Sequence, residues 1–195
     1  ILGSNAMSGT AISASTGFFG PIVGSNAISA SSITGYPSAD LGVITTNANY
    51  LVLNGNTATT GSGIFEVAIG YKAGSFNQGS YAVAIGFAAG LAAQSDYGTA
   101  VGFNCGTTSQ GLRSVAIGTN TGTSTQGSYA VAIGSSSGLT SQGSYAIAIG
   151  SSAGNNSQGS NAIAIGSYAG ATAGQGSNAI AIGQVAGYSN QGTSA

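Results

Sequence analysis

The sequence is poor in the groups that carry chemistry. Among 195 residues there is no His and no Trp, one Cys and two Pro. Charge is confined to Asp40, Glu66, Asp96, Lys72 and Arg113. Acid–base catalysis needs titratable groups held as partners, and two cations cannot form the basic surface that nucleic acid requires. We therefore expect neither an enzyme nor a nucleic-acid binder.

Other classes of protein are also disfavoured. No apolar run approaches the ~18 residues of a membrane helix, so no membrane insertion by this segment is expected. Calcium-binding rolls need recurring Asp, and the Gly motifs lack the Lys and Ser or Thr of a phosphate loop, so we expect no metal and no cofactor. At 42% hydrophobic residues and 3% charged, the composition is not that of a disordered chain.

Glycine is abundant instead, with 35 residues, and from residue 67 onward it is periodic. A (Val/Ile/Thr)-Ala-(Ile/Val)-Gly motif recurs every 16 residues, except for a last interval of 17. The copies begin at Val67, Val83, Thr99, Val115, Val131, Ile147, Ile163 and Ile180. A second Gly follows four residues after the first, and Gln-Gly closes most repeats. Glycine in register marks tight backbone positions, which predicts short strands separated by turns.

The predicted strand has two apolar faces. In residues 81–86, Tyr81, Val83 and Ile85 point to one side, and Ala82 and Ala84 point to the other. Strands of this kind are expected to be buried on both faces. One face can fill a coil while the other packs on a second surface. The sequence leaves open which face does which.

If the repeats stack at about 4.8 Å, residues at the same position of successive repeats, which we call the same phase, lie above one another and form rows, or ladders. A coil of 16 residues has room for two short strands and two turns. The predicted fold is all-β, a parallel β-solenoid of the two-sheeted β-roll type. Its structural ladder contains Ile69, Ile85, Val101, Ile117, Ile133, Ile149, Ile165 and Ile182.

The run (Val/Ile)-Ala-Ile-Gly-x-x-Ala, as at residues 83–89, resembles the head repeats of YadA-like trimeric autotransporter adhesins. The resemblance covers Val67 to Ala195, and it implies a left-handed parallel β-roll, a homotrimer and a motif strand near the three-fold axis. This repeat is longer than is usual in that family. Such longer repeats also look like those of fibre and surface proteins of large viruses and phages.

A physical argument also favours association. A single roll would expose one apolar strand face over all eight repeats, a patch larger than monomers usually tolerate. A closed symmetric oligomer is the usual way to cover such a surface. We therefore expect the chain to associate with itself, and the resemblance implies that it does so as a homotrimer.

The N-terminal third follows a different rule. Residues 1–8 match residues 22–29 at an offset of 21, which predicts an irregular β segment over residues 1–50 that serves as a transition or a shaft. Residues 51–66 align as a degenerate first rung, and residues 67–195 form the β-roll. The chain stops where another motif strand is due, so we expect the roll to continue beyond this fragment.

Three candidate sites remain. Tyr71, Phe87 and Phe103 share one phase and predict either an exposed stripe for a ligand or partner, or a core or interface that tapers along the rod. Cys105 occupies a slot otherwise filled by Ala, Thr or Ser, which indicates a small packed side chain. Asp96 and Arg113, on adjacent rungs, predict either a surface ion pair or two solvated charges.

The function that these features favour is structural. We expect a stiff trimeric fibre or adhesin head segment on the extracellular surface of a virion or a cell, which attaches to a host-surface glycan or protein or to matrix. The alternative is a dedicated binding module that recognises a glycan or another repetitive ligand through exposed ladders, such as the Asn/Tyr or the Gln/Ser corners. Viral and bacterial origins stay open.

Overall fold

A computed structural model describes residues 45–47, 50–53, 64–172 and 174–195 of the chain. The 21-residue repeats predicted over residues 1–50 lie almost entirely outside the described residues. No helix occurs in the described ranges; their regular structure is all β.

The larger of two sheets has ten strands. In chain order they are β1 (Thr45–Asn47), β2 (Tyr50–Leu53), β3 (Glu66–Ile69), β5 (Val83–Ile85), β7 (Thr99–Phe103), β9 (Val115–Thr119), β11 (Val131–Ser135), β12 (Ile147–Ile149), β13 (Ile163–Ile165) and β14 (Ile180–Ile182). The first pair is antiparallel, and every later pair is parallel.

The smaller sheet has four parallel strands. They are β4 (Phe76–Gln78), β6 (Ala92–Gln94), β8 (Ser109–Gln110) and β10 (Thr125–Gln126). Isolated parallel bridges such as Gln126 to Gln142 and Gln158 to Gln175 extend the same line toward the C-terminus. Successive coils thus contribute to both sheets, and the predicted two-sheeted parallel β-solenoid is confirmed.

Strand register follows the repeat. Ala84 pairs with Ala68 on one side and with Ala100 on the other. The longer last interval does not shift the pairing, because Ala164 still lies opposite Ala181. The inserted residue is therefore accommodated in the turn region rather than in the strand.

The first Gly of each repeat is required by close approach between coils. Gly150 has φ +128°, and a Cβ placed on it would lie 2.7 Å from the carbonyl oxygen of Gly166. Other residues would be strained by that backbone conformation and would also clash with the neighbouring rung. This explains why Gly recurs at one phase.

The alanine face fills the coil. Ala84, Ala100, Ala116 and their equivalents are fully buried, while the flanking Val and Ile side chains are only half-buried. The question that the sequence left open is thus answered: the Ala side of the strand faces the interior of the coil. In the single chain the other face stays partly exposed, as expected for an isolated roll.

The strand is also shorter than predicted. Tyr81 precedes β5 in a turn with φ +60° and is 44% exposed. It therefore does not belong to the strand proper. A non-Gly residue in this left-handed region costs roughly 1 kcal/mol or more, so stabilising contacts are expected around it.

Candidate interaction surface

The outward side of the larger sheet is a continuous apolar surface, which we call the Val/Ile face. It is formed by the first and third residues of each motif, as at Val131 and Ile133. β-branched side chains suit a strand surface, and the parallel register places like residues on neighbouring rungs. Ile117 is 37% exposed, and the terminal Ile182 reaches 64%. The structural ladder of Ile and Val predicted from the sequence lies on this face.

One border of the Val/Ile face is an aromatic row that we call the corner ladder. Its members are Phe65, Tyr81, Tyr97, Arg113, Tyr129 and Tyr145, each two residues before a motif and each with φ between +55° and +62°. Ring centroids are 5.3 Å apart between Phe65 and Tyr81, 5.1 Å between Tyr81 and Tyr97, and 4.9 Å between Tyr129 and Tyr145. This stacking offsets part of the free-energy cost of the left-handed backbone conformation at these positions.

Arg113 takes the place of a ring in the corner ladder. Its guanidinium carbon lies 5.0 Å from the ring centroid of Tyr97 and 5.6 Å from that of Tyr129, and its Nη1 donates to the Tyr129 hydroxyl at 2.7 Å. Asp96 instead accepts the N–H of Ser80 at 2.9 Å. The charge of Arg113 is therefore held by aromatic faces, and the sequence-based choice between an ion pair and two solvated charges omitted this arrangement.

The opposite border is the aromatic stripe of Tyr71, Phe87 and Phe103. These side chains are 46–47% exposed. Centroids are 5.4 Å apart between Tyr71 and Phe87 and 5.1 Å apart between Phe87 and Phe103, and the Lys72 amine lies 5.4 Å from the Tyr71 centroid. The stripe therefore lies on the surface of the coil, not in its interior.

In both aromatic rows the rings stack on their neighbours. The planes of Tyr81 and Tyr97 differ by 5°, and those of Phe87 and Phe103 differ by 14°, with centroids 5.1 Å apart in each pair. Neighbouring rings therefore cover part of each other's faces. Face-on stacking of a sugar ring is most open at the ends of a row.

The most extensive polar network was missed from the sequence. Seven of the Gln side chains that close the repeats are no more than 2% exposed; they are Gln78, Gln94, Gln110, Gln126, Gln142, Gln158 and Gln175. We call this row, with the more exposed Gln191, the glutamine ladder. Its recurrence in every repeat, where neighbouring Ser, Asn and Thr vary, was the available signal. The expectation of exposed Gln corners is wrong.

Each buried amide closes its own coil. The Nε2 of Gln142 donates to the carbonyl oxygens of Val131 at 2.9 Å and Ala146 at 3.3 Å, and to the Oε1 of Gln158 at 3.1 Å. The first two acceptors lie 11 residues before and 4 residues after the Gln. The Nε2 groups of this row pair with carbonyl oxygens inside each coil, as buried donors generally must, so the glutamine ladder fixes the coil geometry.

Cys105 is a packed member of the interior. It is fully buried, and its thiol donates to the carbonyl oxygen of Gly118 at 2.8 Å. Burial raises the pKa of the thiol, although backbone and side-chain hydrogen bonds at Thr121 and Gly118 partly oppose this. Thr121 and Ser137 occupy the same slot on the next rungs and are also buried. The structure therefore places Cys105 as the small side chain that the sequence indicated.

Two other kinds of feature do not occur in the described ranges. No group of three or more His, Cys, Asp or Glu side chains there could hold a metal ion. No helix in the same residues is long and apolar enough to cross a membrane.

Comparison with known proteins does not identify a relative: no family model, no curated protein and no solved structure matches the chain.

Proposed function

We propose that this chain is a structural segment of a surface fibre or adhesin head, in which parallel copies associate through the Val/Ile face. The observation that carries the proposal is an uncharged, β-branched sheet face that stays half-exposed along the described solenoid. A stiff, self-associating rod needs no acid–base chemistry. Its mechanical resistance comes from the hydrogen bonds between successive rungs, which run along the length of the rod.

The energetics favour covering this face. Burial of apolar surface is worth roughly 25 cal/mol per Å². The residues of this face contribute from every repeat, so the patch exceeds the few hundred Å² normal for monomers. The half-burial of Ile133 and Ile149 by their own ladder leaves their outer parts in water. Association through the Val and Ile residues of this face removes that contact with water, and none of these residues is charged.

The proposed oligomer is a homotrimer. Closed cyclic symmetry hides one flat face per copy and leaves no face free for open-ended growth. The number three comes from the resemblance to YadA-like heads, in which the motif strand lies near the three-fold axis. We place the fibre on the extracellular surface of a virion or a cell, where it attaches to a host-surface glycan or protein or to matrix.

A binding module is the second candidate. It is favoured by the tyrosine hydroxyls of the corner ladder, whose rings recur at 4.9–5.1 Å. A linear ligand with a matching repeat, such as a glycan, could hydrogen-bond to several rungs at once. A single strong and saturable hit on a glycan array, lost on substitution of Tyr129 and Tyr145 by Phe, would favour this reading.

Sedimentation equilibrium tests the first proposal. The wild-type chain, loaded over a wide concentration range, is expected to fit three times its monomer mass of 18.5 kDa. A soluble monomer at all concentrations would contradict the fibre proposal. A discrete dimer would keep the self-associating face but remove the three-fold arrangement.

A further inference from the structure

We propose that the two aromatic borders of the Val/Ile face meet between neighbouring copies, so that the aromatic stripe of one copy lies against the corner ladder of the next. The inference rests on the proposed self-association and specifies which edges make contact. It assigns an occupant, a second copy of this chain, to both aromatic rows.

The two borders flank the same face. Along one rung the outward residues alternate as Tyr81, Val83, Ile85 and Phe87, with Tyr81 before β5 and Phe87 after it. Tyr81 stacks on Phe65 and Tyr97, whereas Phe87 stacks on Tyr71 and Phe103. The two rows therefore run separately along the two ends of the strands, and their outward sides are free to contact another copy.

Symmetry decides which edges meet. In a closed ring of parallel copies, neighbouring copies are related by rotation about the ring axis. Each contact is therefore heterologous, which means that it joins two different edges of the two copies. The edge that carries Tyr81 then lies beside the edge that carries Phe87 in the next copy. An antiparallel pair would instead bring each edge against its own equivalent.

The spacing of the rows fits side-by-side contact. Centroids are 5.1 Å apart both between Tyr81 and Tyr97 and between Phe87 and Phe103, because the rung sets both distances. Two parallel copies therefore stay in register from one rung to the next. Rings that stack on neighbours of their own copy still expose 44–47% of each side chain, which is available for contact with another row.

The chemistry of the two borders is compatible in each rung. The first rungs pair aromatic with aromatic, as in Tyr97 and Phe103. Further along, Tyr129 and Tyr145 correspond to Ser135 and Ser151, so that a phenol can donate to a hydroxyl. The next rung pairs Asn161 with Ser167, amide with hydroxyl. None of these pairs opposes like charges.

Cysteine cross-linking tests the edge contact. Asn161 and Ser167 flank β13 on the two borders, and changing them leaves the aromatic rows intact. On a Cys105→Ser background, the double variant Asn161→Cys/Ser167→Cys is treated with a short bismaleimide and run on a denaturing gel. We expect a covalent oligomer of the same size as the native one. Each single variant is the matched control and is expected to stay monomeric on the gel.

Two results would overturn the inference. Cross-linking of Asn161→Cys alone would mean that like edges meet, as in an antiparallel pair. Absence of cross-links in the double variant, on samples that sediment as oligomers, would mean that another arrangement covers the face, while the proposed self-association stands. Wild-type protein that sediments as a monomer would remove both proposals.

Removal of aromatic rings gives a second, independent readout. Phe87→Ser introduces the residue that later repeats carry at this phase, and an inter-copy aromatic contact in each interface predicts an assembly constant weakened by about tenfold or more. Phe76→Ser, on the exposed side of β4, is the control and should leave assembly unchanged. Unchanged assembly in Phe87→Ser, with loss of a saturable glycan ligand, would show that the stripe is a ligand site instead.

Discussion

Gln142 donates its side-chain N–H to the Oε1 of Gln158 at 3.1 Å inside the coil. The same contact recurs from Gln126 to Gln142 at 3.2 Å and from Gln175 to Gln191 at 3.0 Å. Amides therefore link successive rungs along the axis in the C-terminal half of the glutamine ladder. A rod of this kind combines backbone ladders in its sheets with an amide chain in its interior.

Substitution of Gln142 by Leu is expected to destabilise the protein strongly. It leaves the carbonyl oxygens of Val131 and Ala146 without their amide donor and breaks the amide chain. The Gln142 side chain makes four hydrogen bonds, and the net worth of each is about 1 kcal/mol, so we expect a loss of about 3 kcal/mol or more. Urea denaturation at fixed protein concentration measures the loss.

Gln94→Leu is the matched comparison for that variant. Gln94 bonds the carbonyl oxygens of Val83 and Gly98, but its Oε1 accepts no hydrogen bond among the described residues. Gln142 makes two amide–amide hydrogen bonds that Gln94 lacks. At a usual net worth of about 1 kcal/mol for each hydrogen bond, the loss should therefore be smaller than for Gln142→Leu by about 2 kcal/mol. Equal losses would argue against a contribution from the amide chain.

Gly150→Ala is expected to disrupt the solenoid locally. The added methyl would meet the Gly166 carbonyl oxygen at 2.7 Å, in a backbone conformation that Ala rarely adopts. We expect a loss of at least about 2 kcal/mol, seen as a lower thermal midpoint by circular dichroism. Gly192→Ala serves as the control because an added Cβ there has no atom within 4 Å. Similar midpoints for both variants would contradict the close-approach explanation.

Cys105 should make stability fall at alkaline pH. Burial raises the pKa of its thiol in the folded chain. The unfolded thiol ionises first, near pH 8.5, and its loss of a proton pulls the equilibrium toward unfolding as the pH rises further. The contribution of the buried, protonated thiol to the stability of the folded chain is fully present below that pH. Urea midpoints measured between pH 7 and pH 10 should fall more steeply for the wild type than for Cys105→Ser, and parallel curves would contradict this.

Arg113 should contribute through its contacts with rings rather than through an ion pair. Arg113→Ala removes contacts with Tyr97 and Tyr129 and should cost about 0.5–1 kcal/mol. Arg113→Tyr, which continues the aromatic row, should recover most of that loss. Thermal unfolding at low and high salt measures both variants. If the stability difference between the wild type and Arg113→Ala vanished in high salt, an ion pair would be indicated instead.

The repeat made the fold predictable. Gly at fixed phases, as at Gly150 and Gly166, marks the places where rungs approach closely, and an all-β coil with two strands per repeat follows from that spacing. The sequence could not decide which face is interior because Ala84 and Ile85 are both apolar. The choice depends on the closed coil, in which the Ala methyl groups share the interior with the buried Gln side chains.

The glutamine ladder was not predictable by residue type, since Gln is usually exposed. Its partners lie 11 residues before and 4 residues after, as with Val131 and Ala146 around Gln142. That relation exists only after the coil has closed. The turn conformation of Tyr81 was missed for a similar reason, because its left-handed backbone is stabilised by a ring one rung away.

The most direct test of the central claim compares Ile133→Lys with Thr125→Lys by sedimentation equilibrium. Ile133 lies on the Val/Ile face, whereas Thr125 is exposed on the smaller sheet, so both changes add one charge to one strand position. Association through the Val/Ile face predicts that Ile133→Lys sediments as a folded monomer and that Thr125→Lys keeps the oligomer of the wild type. An unchanged oligomer in Ile133→Lys, or its loss in Thr125→Lys, would contradict association through this face.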